Sequence, residues 1–468
     1  MKTVITTTIL LIFSILNIFS QELPGVWHGI AKTPDNKEIT FVFLLEKNGE
    51  FYTSTMAIPT FNVDGIKPKS TSFEEGMLLI DAPDLGMKYE GIWNETTHQF
   101  EGNYNEGNIK LALNLIKGNP EMPKINRPQE PIKPYPYHEE NVKFDNIKAG
   151  ISLSGTFTRP SKKGKYPVVV LISGSGRTDR NGSSATHRPF LVLSDYLTRN
   201  NIAVLRYDDR GFGESTGDFS KATTADFAQD VLSAVQYLKS RNDINTNQIG
   251  LVGHSEGGII APLAANQTSD ISFMVSMAGT GISGSEISVM QSKSLRPFPV
   301  PDELDFEKNV RKSIKIAASN KEILQKRKEL LTHNNTYLTP ILKSLGATEE
   351  NISAFITKET DGVLKPWNTY FFNYNPADEY EKLTIPVLSL NGSKDVQVNA
   401  TVNQNAIRNA LIKGNNKNYK IVELENLNHL FQECTTGKMN EYKEIEQTIS
   451  PIALKEISNW ILEVIQAN

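Results

Sequence analysis

Hydrophobic and polar positions fall into three successive patterns along the chain. From residue 21 to about 118, short apolar runs are separated by polar turns. "EITFVFLLEKNGEFYTSTM" is two such runs around Asn48-Gly49, a strong hairpin signal. "KYEGIWNETTHQFEGNYNEGNIKLALNLI" supplies three more short strands, with Leu111, Leu113 and Leu115 alternating in the last. The pattern predicts an antiparallel barrel or sandwich, in which Trp27 and Trp93 either pack the core or line a ligand groove. Residues 119–140 follow, and "NPEMPKINRPQEPIKPYPYH" carries six prolines. Proline fixes its own φ and pushes its predecessor towards extended geometry, so a stiff linker is expected.

From about 141 to 468 the period switches between strand and helix. "YPVVVLISG", "IAVLRYD", "IGLVGH", "FMVSMAG", "IPVLSLNG" and "YKIVELEN" read as strands, the first few fully buried. Between them, "TTADFAQDVLSAVQYLKSR" places Phe227, Val231, Ala234, Val235 and Leu238 on one helical face. Such alternation predicts a mostly parallel sheet with helices on both faces. It breaks between about 281 and 380, where Phe306, Val310, Ile314 and Ala317 recur at helix spacing. A helical insertion between two sheet strands is expected to cap the strand ends, where ligands bind in open α/β sheets.

Composition narrows this only a little. At 468 residues the chain should hold two or three domains. A net charge of -4 leaves no basic excess to neutralise phosphates, which argues against nucleic acid as a partner. The single cysteine, Cys434, rules out an internal disulfide and is expected to be a small buried hydrophobe. Residues 1–20 have the layout of a signal peptide: Lys2, an apolar run over Ile9 to Phe19, and a cut before Gln21. The protein is thus expected to be secreted or periplasmic, with no stable membrane insertion after cleavage.

The candidate chemistry begins with a spacing that occurs twice. G-x-S-x-G appears as "GHSEG" around Ser255 and as "GESTG" around Ser215. Ser255 follows a buried strand and precedes the small-residue run "EGGIIAPLAA", the strand-turn-helix corner that a nucleophile elbow requires. Ser215 lies in the glycine-rich "RYDDRGFGESTGDF", with no strand directly before it, and reads as a loop turn.

A serine hydroxyl needs a base, and with such an elbow the partners follow in the order Ser, acid, His. Only His333 and His429 come after Ser255. His333, in "LTHNN", reads as a surface residue of the insertion; His429, just beyond a predicted strand, is the candidate base. Asp395 follows the strand "IPVLSLNG" and a tight turn, and is the candidate acid, whereas Asp270, Asp302, Asp305, Asp361 and Asp378 are poorly placed. The backbone amides of Glu256 and Ser175 are the candidate oxyanion donors, with Gly176 next after Ser175. Arg177 and Asp179 are expected to form a local salt bridge, and Arg206, Asp208 and Arg210 to brace loops. No metal-ligand spacing appears, so no cofactor or metal is called for.

Together "ISGSG", "RYDDRGFGEST", "GHSEGG", "PVLSLNGSKDVQV" and "LNHLFQ" resemble the α/β-hydrolase superfamily, specifically its secreted esterase-like serine hydrolases. The resemblance covers roughly residues 140 to 468. It implies an α/β-hydrolase fold with Ser255, Asp395 and His429 as triad, and a small-molecule ester, of short acyl chain, as substrate. One departure is that the oxyanion loop begins Ser-Gly where many relatives have His-Gly. Glu256 is expected to place a carboxylate near the pocket mouth, disfavouring anionic substrates. Two other functions fit the same residues: an exopeptidase or amidase using the triad on amides, and a glycan-binding protein whose β domain captures sugar beside an accessory deacetylase.

Overall fold

The computed structural model describes residues 23–467 apart from 34–35, 62, 84–85, 108, 121–125 and 297. The signal peptide read at 1–20 lies outside the described residues. The chain forms two compact units that divide between 124 and 125, within the proline-rich segment.

The first unit is all β: β1 (Gly25–Lys32), β2 (Glu38–Asn48), β3 (Phe51–Ile58), β4 (Val63–Ile66), β5 (Ser70–Glu74), β6 (Met77–Ala82), β7 (Met87–Asn94), β8 (Gln99–Glu106), β9 (Ile109–Ala112) and β10 (Leu115–Lys117). Its strands pair antiparallel, with Asn48 facing Phe51 across the Asn48-Gly49 turn. β10 pairs with both β1 and β8, which closes the sheet into a barrel and leaves few free edges. Side chains fill the interior: Phe41, Phe43, Leu45, Tyr89, Phe100 and Leu115 are buried together. Trp27 is part of this core, its Nε1–H donating to the Leu23 carbonyl at 2.7 Å and its ring against Phe100 at 4.9 Å. Of the two roles open to Trp27, the structure gives it packing; Trp93 is half-buried beside it.

The second unit has an α/β-hydrolase fold. Its strands are β11 (His138–Asn146), β12 (Ile151–Arg159), β13 (Tyr166–Ile172), β14 (Ala203–Tyr207), β15 (Ile244–His254), β16 (Phe273–Met277), β17 (Val387–Gly392) and β18 (Tyr419–Leu424). They lie in the order β11-β12-β14-β13-β15-β16-β17-β18, parallel from β14 to β18 and antiparallel at β11 and β12. Helices α1 (Pro189–Arg199), α2 (Thr224–Lys239) and α3 (Gly257–Ala265) precede the insertion. The insertion holds α4 (Gly284–Ser294), α5 (Glu303–Ala318), α6 (Ile323–Ser344), α7 (Glu349–Val363), α8 (Pro366–Phe372) and α9 (Pro376–Tyr380). The unit ends with α10 (Ala400–Lys413) and α11 (Pro451–Ala467).

Strand residues alternate between two cores, because successive side chains point to opposite faces. Val168, Val170 and Ile172 pack with Phe227, Val231 and Leu238 of α2, while Val169 and Leu171 pack with Leu193 of α1 and Ile457 of α11. Every residue of the face predicted for α2 is buried.

One boundary and one burial differ from the sequence reading. β11 starts at His138, inside the segment assigned to the linker, and together with β12 it precedes the first strand read from the pattern. Its alternation is carried by only Val142, Phe144 and Asn146 among exposed polar residues, since it is an edge strand. His333 is not on the surface: it is buried in α6, with Nε2 3.0 Å from the Asn309 carbonyl of α5.

Candidate active site

Strand β15 ends at His254, and the chain turns at Ser255 with φ 55°, a left-handed conformation. For a residue with a Cβ this costs on the order of 1–3 kcal/mol, tolerated only where the surroundings enforce it. They do here. The Ser255 amide donates to the Met277 carbonyl of β16 at 2.8 Å, pinning the turn to the neighbouring strand. A Cβ on Gly253 would collide with the Gly257 carbonyl, and one on Gly257 with the Ile172 carbonyl. The glycines therefore let α3 start directly against the sheet.

Asp395 and His429 meet beyond the ends of β17 and β18. The Asp395 Oδ1 accepts the amides of Gln397 and Val398, both at 2.8 Å, which fixes the carboxylate. Its Oδ2 lies 2.7 Å from His429 Nδ1, and both residues are buried. A carboxylate only accepts, so Nδ1 carries the proton and Nε2 is left as the acceptor a base needs. Ser255 and His429 line one cavity of about 300 Å³.

His254 is a neighbour the sequence reading passed over, although it adjoins Ser255 in the motif. Its Nε2 donates to the His429 carbonyl at 2.9 Å, and the two rings are 4.8 Å apart. Burial, with His429 alongside, pushes its pKa down to about 4. It thus stays neutral near pH 7 and adds no charge against an imidazolium at His429.

The predicted oxyanion loop is held from behind by the "DD" of "RYDDRG". Ser173 Oγ donates to Asp209 Oδ1 at 2.6 Å, and the Thr178 amide donates to Oδ2 at 2.8 Å. Arg180 donates to Asp208 through Nε at 3.0 Å and Nη2 at 2.6 Å. Burial raises the Asp209 pKa to about 7 against these two donors. Between the anchors, Gly174 sits so near the nucleophile that a Cβ on it would be 3.0 Å from Ser255 Cβ. Among the described residues, neither the Ser175 amide nor the Glu256 amide has an acceptor within the protein. Ser175 lines the same cavity as Ser255.

Four other residues stand differently from expectation. The Glu256 carboxylate is not at a pocket mouth: it is buried, its Oε1 accepting from Thr224 Oγ1 and Trp367 Nε1, both at 2.7 Å. Arg177 and Asp179 form no salt bridge. Asp179 accepts instead from the amides of Asn181 and Ser183, and Arg177 Nη1 donates to the Gly211 carbonyl at 3.1 Å. Cys434 is partly exposed rather than buried, its thiol 3.4 Å from the Asn426 carbonyl. Ser215 is a brace: its Oγ donates to the Asp208 carbonyl at 2.8 Å and accepts the Ser154 amide at 2.9 Å. Arg210 bridges to Asp230 at 2.8 Å, and Arg206 to Glu139 at 3.5 Å.

Residues 149–410, more than half of the chain, match the model of the X-Pro dipeptidyl-peptidase (S15) family. The chain belongs to this family. The matched region contains Ser255 and Asp395 and stops short of His429. Esterase EstD of Thermotoga maritima is 25% identical over 338 residues, 71% of this chain and 69% of that protein. The uncharacterized protein YfhR of Escherichia coli is 34% identical over 127 residues, 27% of this chain and 41% of its own length. Among solved structures, ferulic acid-bound Est1E from Butyrivibrio proteoclasticus covers 69% of this chain and 99% of its own, at 18% identity and a TM-score of 0.41. The Pyrococcus furiosus esterase Pf2001 covers 73% and 97%, at 13% identity and a TM-score of 0.43. The family and the EstD relative mark this chain as a hydrolase.

The insertion touches the site from one side only. Among the described residues, none of 281–380 lines the cavity shared by Ser255 and His429. A second cavity, of about 600 Å³, shares Ser175, Gly176 and Arg177 with the first, and here α8 and its N-terminal flank contribute Lys365, Trp367 and Asn368. The insertion, expected to cap the strand ends, thus borders the site along one flank.

Proposed function

We propose that this member of the S15 family is a secreted serine hydrolase that cleaves carboxylic esters of short acyl chains through an acyl-enzyme. The observation that carries the reading is the 2.7 Å bond from Asp395 to His429, facing a cavity shared with a serine on a strained elbow. In this reading Ser255 attacks the ester carbonyl as His429 Nε2 takes its proton. The Glu256 and Ser175 amides receive the oxyanion, and His429 then protonates the leaving alcohol. Water, activated by the same imidazole, releases the acid. Asp395 holds the tautomer and stabilises the imidazolium.

An ester is favoured over a peptide with a free amino terminus by what the cavity lacks. No Asp or Glu side chain lines it among the described residues, so an α-ammonium group would find no carboxylate. A volume of about 300 Å³ is at the small end for ligand sites and suits a small ester. The test is a direct competition between 4-nitrophenyl butyrate and a Gly-Pro 4-nitroanilide. Faster release from the ester is expected; faster release from the anilide would make the protein a dipeptidyl-peptidase. Export is tested by the amino terminus of the mature protein, which should be Gln21.

A further inference from the structure

The two cavities that meet at Ser175, Gly176 and Arg177 differ in what they offer a substrate. The first contains His429 and the second does not. The leaving oxygen must lie within hydrogen-bond reach of the imidazole that protonates it, so the alcohol belongs on the His429 side. The acyl chain is left to run past the oxyanion loop into the second cavity. That cavity also abuts the elbow through α8, since Trp367 lines it and donates to Glu256, the residue after the nucleophile.

Its charges are unbalanced. Arg177 and Lys365 line it, and among the described residues neither has an acidic partner. Arg177 is held in place: Nη1 donates to the Gly211 carbonyl and the guanidinium lies 5.5 Å from the Phe212 ring centre. Its Nε and Nη2 donors are unused, and a guanidinium presents five N–H groups in a fork that matches a carboxylate. Among the described residues the one acid in the lining, Asp218, is already satisfied by the Ser220 amide at 2.9 Å, Ser220 Oγ at 2.6 Å and Lys221 Nζ at 3.1 Å. Glu256 does not line the cavity.

We infer that this second cavity is an acyl subsite for a chain ending in a carboxylate, with Arg177 and Lys365 as its anchors, so that half-esters of dicarboxylic acids are preferred substrates. The inference rests on the ester-hydrolase reading for the direction of the acyl chain. It also reverses the expectation drawn from Glu256, that anionic substrates are disfavoured.

The test pairs mono-4-nitrophenyl adipate with 4-nitrophenyl hexanoate, which have equal chain length and differ by one carboxylate. Expected is a kcat/KM about threefold to tenfold higher for the adipate, as two solvent-exposed ion pairs to Arg177 and Lys365 supply, shrinking as salt is raised. The ratio should fall towards one in the Arg177→Gln, Lys365→Gln double variant and only part of the way in Arg177→Lys, which keeps the charge and loses the fork. Binding of monomethyl adipate and methyl hexanoate to Ser255→Ala, by calorimetry, provides a second measurement that needs no turnover. If neither nitrophenyl ester is cleaved yet monomethyl adipate binds more tightly and loses that advantage in the double variant, the hydrolase reading fails and the subsite stands. If both esters are cleaved with equal efficiency, or the preference survives the double substitution, the subsite is overturned and the hydrolase reading is untouched.

Discussion

The same five-residue spacing produces two opposite environments in this chain. At Ser255 the preceding strand is buried, the turn is left-handed, and the amide is tied to Met277 of the next strand. At Ser215 the hydroxyl is tied on both sides, to the Asp208 carbonyl and the Ser154 amide, and bridges a loop to β12. One serine has its backbone fixed and its hydroxyl on a cavity wall. The other has its hydroxyl consumed by the fold. What separates them is the register of the residues before the motif: Ile249 to Val252 insert into the sheet, whereas Asp208 to Phe212 cannot, being polar and glycine-rich.

That contrast is broken most severely at the hydroxyls themselves. Ser255→Ala should lower ester kcat by about 10⁶, the scale seen when a triad nucleophile is removed, with unfolding midpoint little changed. Ser215→Ala should keep most of the turnover but lose on the order of 1–3 kcal/mol of stability, because the Ser154 amide is left without its buried acceptor. Steady-state kinetics beside denaturant titration read both; an active Ser255→Ala enzyme overturns the assignment. Next in size is Asp395→Asn, expected to lower kcat by about 10⁴ by favouring the wrong imidazole tautomer. A rate near that of the unaltered protein would send the search to other acids. Smaller still, Gly253→Ala should destabilise the elbow by about 1–3 kcal/mol, since its Cβ has to push the Gly257 carbonyl aside. Equal stability in a urea titration would show that the corner is not close-packed.

The elbow, the candidate acid and the candidate base were legible because each lies beyond a sheet strand at one rim, the first two strands fully buried where they precede the site, and chain order filters the rest. The face of α2 was legible for a related reason: one apolar stripe meets one sheet. What the sequence hid depended on how elements face one another. His333 is flanked by polar residues in α6, and only the docking of α5 buries it. Glu256 reads as exposed because charged residues usually are, yet α2 and α8 converge on it with Thr224 and Trp367. β11 alternates too weakly for its period to be counted, being polar on its outer side. The insertion was readable as helical, but which cavity it borders is a matter of packing that no local period encodes.

The finest comparison lies between the two buried carboxylates that flank the oxyanion loop, Glu256 on the elbow and Asp209 behind the loop. Burial raises both pKa values to about 7. Their hydrogen bonds differ in a way that makes one a clean probe. Both donors to Glu256 reach the same oxygen, Oε1, so a glutamine carbonyl can accept them unchanged. Asp209 uses both oxygens, so asparagine must give up an acceptor. Glu256→Gln therefore removes the titration and keeps the geometry. Its sign follows from linkage. The folded pKa lies above the ordinary value of 4.5, so between the two the folded state binds the extra proton. The unaltered protein then loses stability as pH rises through that window, and no more is lost well above pH 7. Glu256→Gln lacks this loss, so its melting temperature should exceed that of the unaltered protein by more at pH 8 than at pH 5. A difference that is constant with pH, or larger at pH 5, would show that Glu256 is ionised in the folded protein across the range.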